Sequence, residues 1–262
     1  MDSILYRADR PVKPEILYGI NPVHEALKAG RRQVETVFVT PGRPASRIQE
    51  ILHLAQGNAI EIRQVQPGIL SQLAENTNHQ GIAARVSPFP VLSLDEILSS
   101  PSDARGRHFL LLLDSLTDPQ NLGALIRTGF CAGVDGVVLP KDRSVSPTPT
   151  VSRASAGALE HIRIARVVNM VNTIETLKKK SGIWVAGLDK DANQTIYDID
   201  WMVPIAIVVG SEGRGIRELV RSHCDMMATI PQAVPFNSLN ASVAGALVMY
   251  EVFRQRSRRN HE

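Results

Sequence analysis

The chain has 262 residues, 44% of them hydrophobic and 21% charged, enough to bury a sizeable core and best divided between two domains. Its 29 Lys and Arg against 26 Asp and Glu permit a nucleic-acid partner without requiring one. Two cysteines without metal-ligand spacing, and apolar runs far below membrane-spanning length, point to a reduced, cytoplasmic protein with no structural zinc, no export signal and no membrane segment.

In chain order, residues 1–15 read as a polar, flexible leader. Asn21-Pro22-Val23-His24-Glu25-Ala26-Leu27 then offers a cap residue, a proline at the first helical position and helical spacing. A strand over Val34 to Thr40, a helix around Pro44 to Gln56, a strand around Ala59 to Val65, a short helix over Pro67 to Glu75 and a strand at Gly81 to Val86 complete a small α/β domain, residues 16–87. Serines and prolines over residues 88–107 mark a linker, interrupted by the apolar stretch Val91 to Leu98.

From 108 to 262 the pattern changes to continuous apolar strands separated by helices. The strands are expected at Phe109 to Asp114, Val137 to Leu139, Ile162 to Ala165, Ile183 to Leu188, Ile205 to Val209 and Met226 to Ile230. Strands buried on both faces lose their alternation, so this domain is expected to be doubly wound α/β around a parallel sheet. Ligands of such sheets bind outside the carboxyl ends of the strands.

Three junctions there concentrate polar residues and glycines, and all three are expected to converge. The first, Asp118-Pro119-Gln120-Asn121, places a turn before a helix that Asn121 can cap, with Arg127 six residues further on. It reads either as a cap and an exposed arginine, or as Asn121 at the junction with Arg127 reaching for a phosphate. The second, Gly210-Ser211-Glu212-Gly213-Arg214-Gly215, follows a strand and lets a ligand approach the backbone. Its G-x-x-G-x-G spacing is neither a dinucleotide fingerprint nor a P-loop, and Glu212 would oppose a phosphate. A neutral or cationic ligand, or Glu212 as hydrogen-bond acceptor, suits it better. The third runs from Ile230-Pro231 to Ser238-Leu239-Asn240 before a helix rich in small residues, and both Ser238 and Asn240 suit its N-cap. Beyond it, Arg254, Arg256, Arg258 and Arg259 read as a solvated helix end complementing the helix dipole, or as an RNA contact.

Taken in this order, the three segments resemble the motifs of the SpoU family of RNA ribose 2'-O-methyltransferases, of the SPOUT class. Tyr18-Gly19-Ile20-Asn21-Pro22-Val23 and His79-Gln80-Gly81-Ile82 likewise resemble the family's small substrate-binding domain, which is similar to certain ribosomal proteins. The sequence departs from the family at Gln120, where many relatives have histidine, at Arg214, often acidic in ribosomal RNA enzymes, at Ala241, usually valine, and at Phe236-Asn237.

The resemblance implies an α/β SPOUT domain with a parallel sheet and a deep trefoil knot, S-adenosylmethionine as cofactor, no metal, and a homodimer with active sites at the subunit interface. It implies an RNA substrate, not DNA, most in keeping with a guanosine of 23S ribosomal RNA; a transfer RNA and a non-catalytic ribosome-assembly role are the alternatives. Arg127, Asn121, Glu212, Ser238 and Asn240 are the implied catalytic residues, with Gly210, Gly215, Ile230, Pro231 and Leu239 around the cofactor.

Overall fold

A computed structural model describes residues 13–42, 45–75, 78–99, 105–234 and 237–258. Most of the expected leader, residues 1–12, lies outside them, as do Pro235, Phe236 and Arg259, and β1 already begins at Glu15. The chain divides into two compact units, residues 1–90 and 91–262.

The first unit holds β1 (Glu15–Tyr18), α1 (Ile20–Ala29), β2 (Val34–Val39), α2 (Ser46–Gly57), β3 (Glu61–Gln64), α3 (Pro67–Leu73) and β4 (Ile82–Val86). Its sheet order is β1-β4-β2-β3, antiparallel except for the β2–β3 pair. Alternation along the strands sorts the core. Leu17, Val37, Val39, Ile82 and Ala84 pack with α1 and α2, while Tyr18, Phe38 and Ala83 pack with Leu70 and Ala74 at α3.

Asn21 does not cap α1. The helix starts two residues earlier than expected, at Ile20, from Gly19 at φ 93°, a conformation open to glycine, and the Ile20 N–H donates to Gln80 Oε1 at 3.1 Å. Pro22 still falls where a missing N–H costs nothing, because the first turn has no intrahelical acceptors.

Within the segment expected to be a linker, α4 (Leu94–Leu98) is closed by a capping box between Ser93 and Glu96, and Ile97 is fully buried. Leu92 forms a parallel bridge to Ala165. Serine here caps a helix, and Leu92, Leu94, Ile97 and Leu98 pack in the second unit's core, while Val91 is exposed.

That unit continues with β5 (Phe109–Asp114), α5 (Pro119–Ala132), β6 (Gly136–Pro140), α6 (Pro149–Ala154), a 3-10 turn at Ala158–Glu160 and β7 (Ile164–Val167). Then come α7 (Met170–Ser181), β8 (Trp184–Leu188), β9 (Gln194–Thr195), β10 (Ile205–Gly210), α8 (Glu218–Arg221), β11 (Met226–Thr229) and α9 (Ala241–Arg258). The seven strands are all parallel, in the order β7-β6-β5-β10-β8-β11-β9. Every residue of β5, β6 and β10 is buried, as their unbroken apolar runs require. One face packs Leu110, Leu112, Ala206 and Val208 against α4, α7 and α8. On the other, α9 lies against β10 and α5, and a Cβ on Gly245 would overlap the Leu125 side chain. Each fully buried leucine of this core contributes about 1.5–3 kcal/mol.

Two of the C-terminal arginines, Arg254 and Arg256, have local partners. Arg254 binds Glu251 through two hydrogen bonds, of 2.7 and 2.6 Å. Arg256 donates to the carbonyls of Trp201, Val203, Arg107 and His108 and lies over the Phe109 ring, so it ties α9 to the sheet rather than ending in solvent. No helix among the described residues is long and apolar enough to cross a membrane.

Candidate active site

The site grows from the carboxyl ends of β5 and β10. Asp118 ends the loop after β5 and accepts the backbone N–H groups of Gln120 (3.1 Å) and Asn121 (3.2 Å), with Pro119 at the first helical position. The expectation that Asn121 caps this helix is therefore corrected. Asp118 reaches both free N–H groups, and the buried Asn121 side chain, at the third helical position, is left for other partners.

Asn121 Nδ2 donates to Glu212 Oε1 at 2.7 Å. Asn240 Nδ2 donates to Asn121 Oδ1 at 3.1 Å and also to Glu212 Oε1. One residue from each polar junction thus meets in a closed set of hydrogen bonds. Asn240 is also the N-cap of α9, since its Oδ1 accepts the N–H of Ser242 (2.9 Å) and of Val243 (3.3 Å). Ser238, the other expected cap, is exposed on the wall of a cleft two residues earlier.

That cleft, of about 360 Å³, lies beside the cluster. Gly210, Glu212, Gly215, Ile230, Ser238 and Leu239 line it, together with Val209, Ala228, Asp189 and Glu218. Pro231 is exposed and falls between two lining residues without lining the cleft itself. The loop from Gly210 is a tight hairpin: Ser211 and Gly215 exchange N–H to carbonyl bonds of 3.1 and 2.9 Å, with Gly213 and Gly215 at φ 78° and 65°. A Cβ on Gly210 would overlap the Gly215 backbone, so the hairpin folds back only over glycine.

Arg127 stands apart. It is exposed on α5, roughly 9 Å along the axis from Asn121, outside the cleft, and has no hydrogen bond or ion pair among the described residues.

Two ion pairs at the site were not singled out from the sequence. Asp114, the last residue of β5, is fully buried and binds Arg217; Asp189, after β8, meets Arg221 at 3.0 Å on the cleft rim. An ionisable residue closing an otherwise apolar strand was the available signal for the first. Cys131 and Cys224 are free thiols, and burial, aided by the Asp225 charge, pushes Cys224 up to about 12.

The fold and site define an α/β protein whose polar residues gather outside the carboxyl ends of parallel strands, around a cleft of ligand size. Residues 108–250 match the model of the SpoU rRNA Methylase family, and residues 16–92 match that of the RNA 2'-O ribose methyltransferase substrate-binding domain. A protein of Staphylococcus haemolyticus named for the TrmH family of tRNA/rRNA methyltransferases is 40% identical over 92% of this chain and 96% of its own length. YacO of Bacillus subtilis, named likewise, is 39% identical over 93% and 96%. Among solved structures, the SpoU methyltransferase AviRb of Streptomyces viridochromogenes, in complex with AdoMet, superposes with a TM-score of 0.79 at 25% identity, covering 93% of this chain and 91% of AviRb. The chain belongs to the SpoU/TrmH family of RNA methyltransferases.

Proposed function

We propose that this chain methylates a ribose 2'-hydroxyl in RNA with S-adenosylmethionine as donor, and that its substrate is a guanosine of 23S ribosomal RNA, the activity of the RlmB type. The observation that carries the reading is the Asn121–Glu212–Asn240 cluster at the edge of the cleft formed by Gly210, Gly215, Ile230 and Leu239. The cleft suits the cofactor in size, in the apolar side chains of Val209 and Ile230, and in the glycine backbone that a ligand can approach closely. Bound there, S-adenosylmethionine supplies an electrophilic methyl group on a sulfonium.

The protein's own task is alignment and charge. Well-oriented reactants gain on the order of 7–11 kcal/mol. Gly210, Gly215, Ile230 and Leu239 hold the donor through their backbone, with Pro231 shaping the turn of that wall. Asn121, Glu212 and Asn240 fix one another, and with Ser238 they position the ribose and the cofactor loop. Arg127 binds a phosphate and stabilises the developing alkoxide; a guanidinium offers donors and no acceptor, so it is a poor base.

The second unit is proposed to be knotted as a deep trefoil. In support, β10 lies between β5 and β8 while β11 lies beyond β8, and α9 is set back against β10 and α5. Residues 16–87 are the second grip on RNA and 108–262 the catalytic domain, with α4 of the intervening segment 88–107 packed in the latter's core. Homodimerisation is supported by Val243, Leu247, Tyr250 and Phe253, exposed apolar residues at helical spacing on α9.

The test is methylation of fragmented ribosomal RNA and, in parallel, of transfer RNA with labelled S-adenosylmethionine, followed by mapping. Label on one guanosine ribose of 23S fragments is expected. Label only on transfer RNA would transfer the assignment to that substrate, and no labelled ribose in any RNA would favour the assembly-factor reading.

A further inference from the structure

We propose that Asp114 and Arg217 form an internal clamp that sets the posture of the 210–216 hairpin, making both of them positioning residues for the cofactor cleft. This rests on the function proposed above. Asp114 ends β5 with its side chain fully buried, and in the parallel register of β5 and β10 it stands opposite Gly210, where the hairpin begins. Its carboxylate then reaches Arg217, where the hairpin ends. Oδ2 accepts the Arg217 backbone N–H at 2.8 Å, Oδ1 accepts Nε at 2.8 Å, and the second guanidinium nitrogen lies 2.6 Å from Oδ1. One residue therefore pins both the entry and the exit of the loop.

Ile216, buried in the core, anchors the exit end of the hairpin too, but nothing comparable anchors its tip among the described residues. Glu212, Gly213, Arg214 and Gly215 are exposed, and the Ser211–Gly215 pair supplies the hairpin's internal backbone bonds. At its tip Glu212 joins Asn121 and Asn240, so the segments that carry Asn121 and Glu212 are tied twice: at the surface by those two side chains, and underneath by Asp114 and Arg217. The inner tie suits a fixed frame. A buried carboxylate persists only where it is paired and hydrogen-bonded, and breaking such a pair leaves a strongly unfavourable buried charge. A loop whose ends are fixed retains few conformations, so the cofactor spends less of its binding energy on ordering it.

The test uses the full chain with Arg217→Ala, Arg217→Lys and Asp114→Asn, read by hydrogen exchange without cofactor and by calorimetric titration with S-adenosylmethionine. Arg217→Ala is expected to speed exchange of the Gly215 amide, and to weaken S-adenosylmethionine binding, each at least about tenfold. RNA affinity without cofactor and exchange at the centre of β5 should stay within about twofold, which a general loss of structure would not allow. Arg217→Lys should recover part of both losses. Hairpin exchange within about twofold of wild type would overturn the clamp, and faster exchange with unchanged cofactor affinity would overturn its positioning role. If Asp114→Asn does not fold, the Arg217 variants decide alone, because that side chain is half exposed. A wild-type protein that binds no S-adenosylmethionine would sink the proposed function, while the exchange measurement would still judge the clamp.

Discussion

In the first unit, Gln80 Oε1 accepts the first N–H of α1, and His79 Nδ1 accepts the Gly81 N–H while Nε2 lies 3.1 Å from the Ser71 hydroxyl. In the second, Asn121, Glu212 and Asn240 also satisfy one another, but beside an open cleft. The chemistry is alike and the consequence differs. The first set closes a local turn, with Gln80 and Gly81 at φ 54° and 80°, and joins residues 60 apart. The second joins three loops at the ends of parallel strands, where a ligand can enter. A polar motif is thus read by where its partners lie, not by its composition.

The contrast can be broken by substitution. The largest effect is expected for Arg127→Ala, which should cost transfer on the order of 10²–10³-fold or more while S-adenosylmethionine still binds. Activity within threefold of wild type would remove Arg127 from the mechanism. Gly210→Ala comes next, because its Cβ must displace the Gly215 backbone. It should cost roughly 1–3 kcal/mol in denaturant unfolding, and cofactor titration should show a much larger proportional loss. The smallest effect belongs to Gln80→Ala: loss of the Ile20 N–H acceptor should lower stability by about 1 kcal/mol, with turnover per folded molecule unchanged. If Gln80→Ala instead impaired transfer at full stability, the two loops would no longer differ in kind.

Much of the architecture was legible in the residues themselves. Phe109 to Asp114 is apolar until its final aspartate, and β5 occupies that span, because a strand covered on both faces has no solvent side to mark with polar residues. The helix starts were read less well. Asn21 and Asn121 suit caps, yet Gly19 and Asp118 hold those positions, and of the two candidates before α9 it is Asn240, not Ser238, that caps. Cap propensity identifies the residue type, and the path of the chain selects among neighbours two or three residues apart. The serines of 88–107 likewise read as linker residues, whereas Ser93 caps α4 beneath the sheet.

By itself, then, the sequence determined the two α/β units, the parallel sheet of the second, and three polar junctions that resemble SpoU motifs, since each depends on local periodicity, glycine freedom or residue type. Only the tertiary structure decided which side chains meet. Asn121 and Asn240 are 119 residues apart, and Asp114 and Arg217 are 103 apart. Pairings at that range depend on strand order and register, which bring Gly210 opposite Asp114 and return α9 to α5, and no local pattern encodes them.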